Sequence, residues 1–119
     1  MARMAGNASE MMVIVKAKEL CSYIMSVTQK SPKQYRFTYI SRMQNLSLDI
    51  VENLYRANEV YIGGNDGVAY LRERREYQQR ALTDIKLLAY IAQLSFEQKC
   101  ILAKQFEQTV GRCSSQRIF

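Results

Sequence analysis

The residues with most to offer chemically are cations. Lys30, Lys33, Arg36 and Arg42 fall in one stretch that holds no acidic residue between positions 20 and 48. A second set, Arg72, Arg75, Gln79, Thr83 and Lys86, steps by three or four residues, so a helix would project it onto one face with no acid among its members. Rows of this kind suit phosphate oxygens, giving a contact that is strongly salt dependent and largely blind to base sequence. The candidate nucleic-acid-binding residues are therefore Lys30, Lys33, Arg36, Arg42, Arg72, Arg75 and Lys86. Tyr35, Phe37 and Tyr39 alternate with the first set. Rings placed between cations stack on unpaired bases, while at helical spacing they also serve a core or an interface. The competing reading of the second set is a solvated face partly neutralised by Glu73, Glu76 and Asp84.

Other chemistry has little to work with. There is no histidine, so general base catalysis would fall to a carboxylate or a tuned lysine. Asp49 and Glu52 are three apart, a pair already accounted for by Arg56 one turn after Glu52. Cys21, Cys100 and Cys113 are widely spaced and odd in number, which argues against a disulfide framework and points to a reduced, cytoplasmic setting. Without histidine or a CxxC pair a zinc site has almost no ligands. The glycine-rich GGNDG at 63–67 lacks the GK[ST] of a phosphate loop and reads as a turn. No catalytic residue, metal or cofactor is expected, and the chain is read as a non-enzyme.

Charge and size agree with a binding role. The chain has 119 residues and a net charge of +6, from 17 basic and 11 acidic side chains. That surplus permits attraction to a polyanion without proving it. No secretory signal or membrane-spanning run is present; the longest apolar stretch is Met11 to Val15.

The elements that must position these residues read as helices. One proline and five glycines leave out the punctuation of a β protein. Ser31, Pro32 and Gln34 form an N-terminal signature for a long helix over Ser31–Ile62. Tyr39, Met43, Leu46, Ile50, Leu54, Ala57 and Tyr61 are its apolar face, with Arg36 projecting towards that seam and Arg42 and Arg56 outwards. Before it, a helix capped by Asn7 or Ser9 runs to about Gln29 along Val13, Ala17, Leu20, Ile24 and Val27. Ile14, Cys21 and Met25 widen that seam to roughly 160°, enough for two neighbours or another subunit. A third helix, capped by Asp66, spans roughly 67–92 with Tyr70, Leu71, Tyr77, Ala81, Leu82, Ile85, Leu88, Ala89 and Ala92 inward. Ser95 and Gln98 form a capping box opening a fourth helix, with Phe96, Ala103, Phe106, Val110 and Cys113 inward and Ile101 outward. The expectation is a single all-α domain over residues 1–119, an up-down-up-down antiparallel four-helix bundle, with a loose leader (1–7) and a tail (114–119).

Over roughly residues 11–113 the chain resembles a known family. The runs SPKQYRFTYISRMQNLSLDIVENLYRA and IKLLAYIAQLSFEQKCILAKQFEQTVGR are similar to the accessory variability determinants of diversity-generating retroelements, with a wider likeness to the bundle protein of ribosomal RNA intervening sequences. The Pro32-Lys33, Arg36 and Arg42 pattern is the most specific part, and Gly111-Arg112 a weaker one. The resemblance implies a pentameric ring, a reverse transcriptase as partner, and contact with RNA, with DNA as a second candidate, during mutagenic reverse transcription. It carries Lys33, Arg36 and Arg42 over as the family's basic motif. This chain departs at its end, where CSSQRIF follows Arg112 and no tryptophan occurs. Two readings remain open: a nucleic-acid-binding accessory subunit, or an oligomer, of the intervening-sequence type or purely structural, that meets only a protein partner.

Overall fold

The structure, a computed structural model, describes residues 8–60 and 67–118, with side chains from Met12 onward. All regular structure among the described residues is helical, with four α-helices and no strand: α1 Ala8–Gln29, α2 Ser41–Glu59, α3 Gly67–Glu97 and α4 Ala103–Ser114. The leader, Asn7, Tyr61, Ile62 and most of the glycine-rich reversal with its Asp66 cap lie outside the described residues.

Each helix contributes one stripe to a common core. Ala17, Leu20, Ile24 and Val27 come from α1, Met43, Leu46, Ile50 and Leu54 from α2, Ala81, Ile85, Leu88 and Ala92 from α3, and Cys113 from α4. Burying a large member such as Leu20 or Ile50 contributes about 1.5–3 kcal/mol. The helices pack α1 on α2, α2 on α3, α3 on α4 and α4 back on α1, in a body of 53 × 22 × 21 Å. The long dimension follows from α3, whose 31 residues span about 46 Å at 1.5 Å each.

Small hydroxyl residues let the helices approach without stranding polar groups. Ser47, Ser95, Thr109 and Thr28 are all buried. Each returns its hydroxyl proton to a carbonyl of its own preceding turn: Ser47 to Gln44 and Ser95 to Ile91 at 2.8 Å, Thr109 to Gln105 at 2.8 Å, Thr28 to Ile24 at 2.7 Å. Pairs that bridge helices among the described residues include Gln44 with Thr28, Ser47 with Cys21, Ser95 with Met43, and Asn53 with Asp84.

Several sequence expectations are corrected. The helix over Ser31–Ile62 does not start as an α-helix: a 3₁₀ turn, Lys33–Tyr35, and a π turn, Arg36–Ile40, precede α2. Ser31 Oγ donates to the Val27 carbonyl at 3.3 Å, so it finishes α1 and does not cap the second helix.

Ser95 does not open α4. It sits fully buried inside α3, which continues to Glu97. The helix closes by a Schellman arrangement, with the Cys100 N–H on the Ser95 carbonyl at 2.8 Å and the Lys99 N–H on that of Phe96 at 2.9 Å. Lys99 adopts φ 63 where glycine is usual. α4 follows Leu102 instead, whose N–H donates to the Gln105 side chain at 2.8 Å; this is one half of a capping box, displaced by seven residues from Ser95/Gln98, because leucine has no side-chain acceptor to return the bond. Ile101, expected outside, is 3% exposed, whereas Ala103, Leu71 and Phe96 are exposed.

Residues 114–118 are not a loose tail. Gln116 is buried and donates its amide to the Val13 carbonyl at 2.8 Å, and Ile118 packs on the core.

Candidate nucleic-acid interface

The junction between α1 and α2 builds one end of the molecule. Pro32 has φ −57 and ψ 135, which turns the chain out of α1. The 3₁₀ and π turns then wind it back onto α2, with the Ser41 N–H reaching the Arg36 carbonyl. A π turn spends an extra residue per turn, so residues before it rotate away from the α2 seam. Arg36, which an uninterrupted α-helix would aim at that seam, is exposed, and Ile40 is buried in the core.

Two aromatics of the junction are consumed by the fold. Tyr35 and Tyr39 pack half-buried against the core with ring centroids 5.6 Å apart. The Tyr35 hydroxyl donates to the Gln98 carbonyl at 2.9 Å, tying the junction to the turn between α3 and α4. Ser31 also bonds Cys100 in that turn, while burial of Cys100 pushes its thiol pKa up. Phe37 takes no part in this packing and is 86% exposed.

Lys30, Lys33 and Arg36 are exposed at this end, and Lys33 and Arg36 line a cleft with Thr28, Gln29, Ser31, Ile40 and Gln44. Arg42 is exposed on the first turn of α2. The turn joined to the junction through Tyr35 adds Lys99, which is exposed and which the sequence did not single out, because nothing marks position 99 as a helix end without glycine.

The second set also reaches solvent. Arg72, Arg75, Gln79, Thr83 and Lys86 are all exposed along α3, over about 21 Å. Asp84 is partly buried and accepts from the Asn53 side-chain amide of α2 at 3.2 Å. Desolvation, then the nearby Asp49, raise its pKa, and the Asn53 bond opposes them. Glu73 and Glu76 are exposed and stay close to the row. The two basic regions remain apart, since Lys86 stands about 17 Å along α3 from Glu97.

Arg112 is held internally. Its guanidinium lies over the Tyr23 ring, 4.8 Å from the centroid, and its Nε is buried. Among the described residues no group of three or more His, Cys, Asp or Glu side chains could hold a metal ion. No described helix is long and apolar enough to cross a membrane. The chain matches no family model, no curated protein and no solved structure.

Proposed function

We propose that this chain is a non-catalytic, nucleic-acid-binding accessory subunit of a retroelement reverse transcriptase. It works in the cytoplasm as a homo-oligomer, a pentamer by resemblance, and supports mutagenic reverse transcription of template RNA. The observation that carries the reading is the exposed cluster of Lys30, Lys33 and Arg36 at one end of the bundle, in a stretch of sequence without an acid, joined by Lys99. The exposed row on α3 extends the same chemistry along the side. The up-down-up-down arrangement belongs to this reading, and the Thr28–Gln44, Met43–Ser95 and Asn53–Asp84 pairs support it.

Lysine and arginine here contact phosphates, so affinity falls steeply with salt. The test is RNA binding by fluorescence anisotropy between about 50 and 200 mM salt. The variants are Arg72→Glu with Arg75→Glu, and Lys33→Glu with Arg36→Glu. Each pair lowers affinity and flattens the salt slope while the circular dichroism spectrum stays the same. Unchanged binding in both pairs sinks the reading.

One observation favours the second reading, an oligomer that meets only a protein partner. Leu48 and Tyr55 are 49% and 57% exposed on α2, and Val51, half-buried, lies between them in sequence. Sizing the protein with and without RNA at low and moderate salt separates the two readings, because only the first gives a salt-sensitive shift.

A further inference from the structure

Phe37 is the most exposed large apolar side chain among the described residues. A single exposed apolar residue is ordinary on a protein surface, so exposure alone carries nothing. Its setting is what separates it from Leu102 or Val68. Phe37 lies in a π turn, a local geometry that costs regular hydrogen bonding and recurs at functional positions. Its sequence neighbours Tyr35 and Tyr39 both turn inward onto the core, so the same turn that packs them leaves the third ring outside. Arg36 precedes it directly and Lys33 lies one turn earlier, both exposed on the rim of the cleft that includes Thr28, Ser31 and Gln44.

An exposed ring beside two exposed cations combines a stacking platform with a phosphate track. We propose that Phe37 stacks on an unpaired base of single-stranded RNA while Lys33 and Arg36 hold the adjoining phosphates. A duplex offers the phosphates but keeps its bases stacked on one another, so the ring confers preference for single strands. Sequence selectivity stays weak, because every base has a face to stack. This inference rests on the nucleic-acid reading above and narrows it to one strand form and one reading residue.

The experiment compares the wild type with Phe37→Ala and Phe37→Trp on a fluorescent oligouridine and on an RNA duplex of equal length. Phe37→Ala lowers single-strand affinity about tenfold and leaves duplex affinity unchanged. The chain has no tryptophan, so Phe37→Trp installs its single indole, and oligouridine quenches that emission on saturation. An exposed site tolerates both substitutions, and the far-ultraviolet circular dichroism of each variant stays that of the wild type. Equal affinity of Phe37→Ala and wild type for the single strand overturns the inference. So does an equal loss on both RNAs, or an indole emission that saturating RNA leaves unchanged. Wild type that binds neither RNA at low salt removes the nucleic-acid reading itself and this inference with it. Wild type that binds while Phe37→Ala is unaffected removes the stacking alone.

Discussion

The Tyr35 hydroxyl donates to the carbonyl of Gln98 at 2.9 Å across 63 residues of sequence. That bond fastens the α1–α2 junction, with its cations, to the turn that carries Lys99. It lies where water reaches it, so its net worth sits near the low end of about 0.5–1.5 kcal/mol. Tyr35→Phe therefore costs about 0.5 kcal/mol in urea unfolding, while Tyr35→Ala, which also removes the ring beside Tyr39, costs more than about 1.5 kcal/mol. Equal effects of the two would mean that the ring contributes nothing.

Ser95 is not the cap that local pattern makes it, and Gln105 takes the N3 role that the pattern gives to Gln98. Losing a true cap costs about 1 kcal/mol. Ser95→Ala, which removes only a hydroxyl bonded to its own helix, changes stability by less than that. Ser95→Leu forces a large side chain against Met43 and costs about 1–3 kcal/mol or more. Gln105→Ala frees the Leu102 N–H and costs about 0.5–1 kcal/mol. Chemical denaturation of the three variants gives this order, and a large loss in Ser95→Ala would return the cap to Ser95.

Lys99 holds φ 63, a conformation that disfavours every residue with a Cβ. Lys99→Gly relieves about 1 kcal/mol of that strain and raises the melting temperature by a few degrees. The same change removes one cation from the basic end, so RNA affinity falls although stability rises. A variant less stable than the wild type contradicts the left-handed closure of α3.

Burial raises the Cys113 thiol from 9.0 to about 11. The folded state thus favours the neutral thiol, and its contribution is complete below the unfolded pKa. As pH climbs from 9 towards 11 the unfolded chain gives up this proton and the folded chain keeps it. Stability falls across that window, by about 1.4 kcal/mol for each tenfold difference in thiol acidity between the two states. Cys113→Ala removes this part of the alkaline loss, and urea midpoints of both proteins at pH 8 and pH 10 measure it. Parallel losses in the two proteins would show that Cys113 plays no part.

The terminal segment is predicted to stabilise the bundle. Removing residues after Ser114 deletes the bond from Gln116 to the Val13 carbonyl and the packing of Ile118, a loss of about 2 kcal/mol or more. Thermal unfolding of the truncated chain tests it, and an unchanged melting temperature would restore the tail to irrelevance.

What the sequence by itself determined is the helical class and the main inward stripes of α1, α2 and α3. Apolar spacing of three and four residues reports the face of a helix directly, which is why Leu20, Ile24, Met43, Ile50, Ile85 and Leu88 are all in the core where periodicity puts them. The exposure of Lys33, Arg42, Arg72 and Lys86 follows from the same geometry, since charge stays in water unless a partner offsets its burial.

Tertiary packing decided the junctions and the ends. Whether Ser31 and Ser95 cap a helix or serve its interior depends on which carbonyl lies within reach, and both serine roles share one local pattern. The π turn at Arg36–Ile40 lets Tyr35, Tyr39 and Ile40 all reach the core from one short segment, an arrangement completed by the neighbouring helices. That arrangement rotates Arg36 outward and leaves Phe37 in solvent, and no periodicity within the stretch records it.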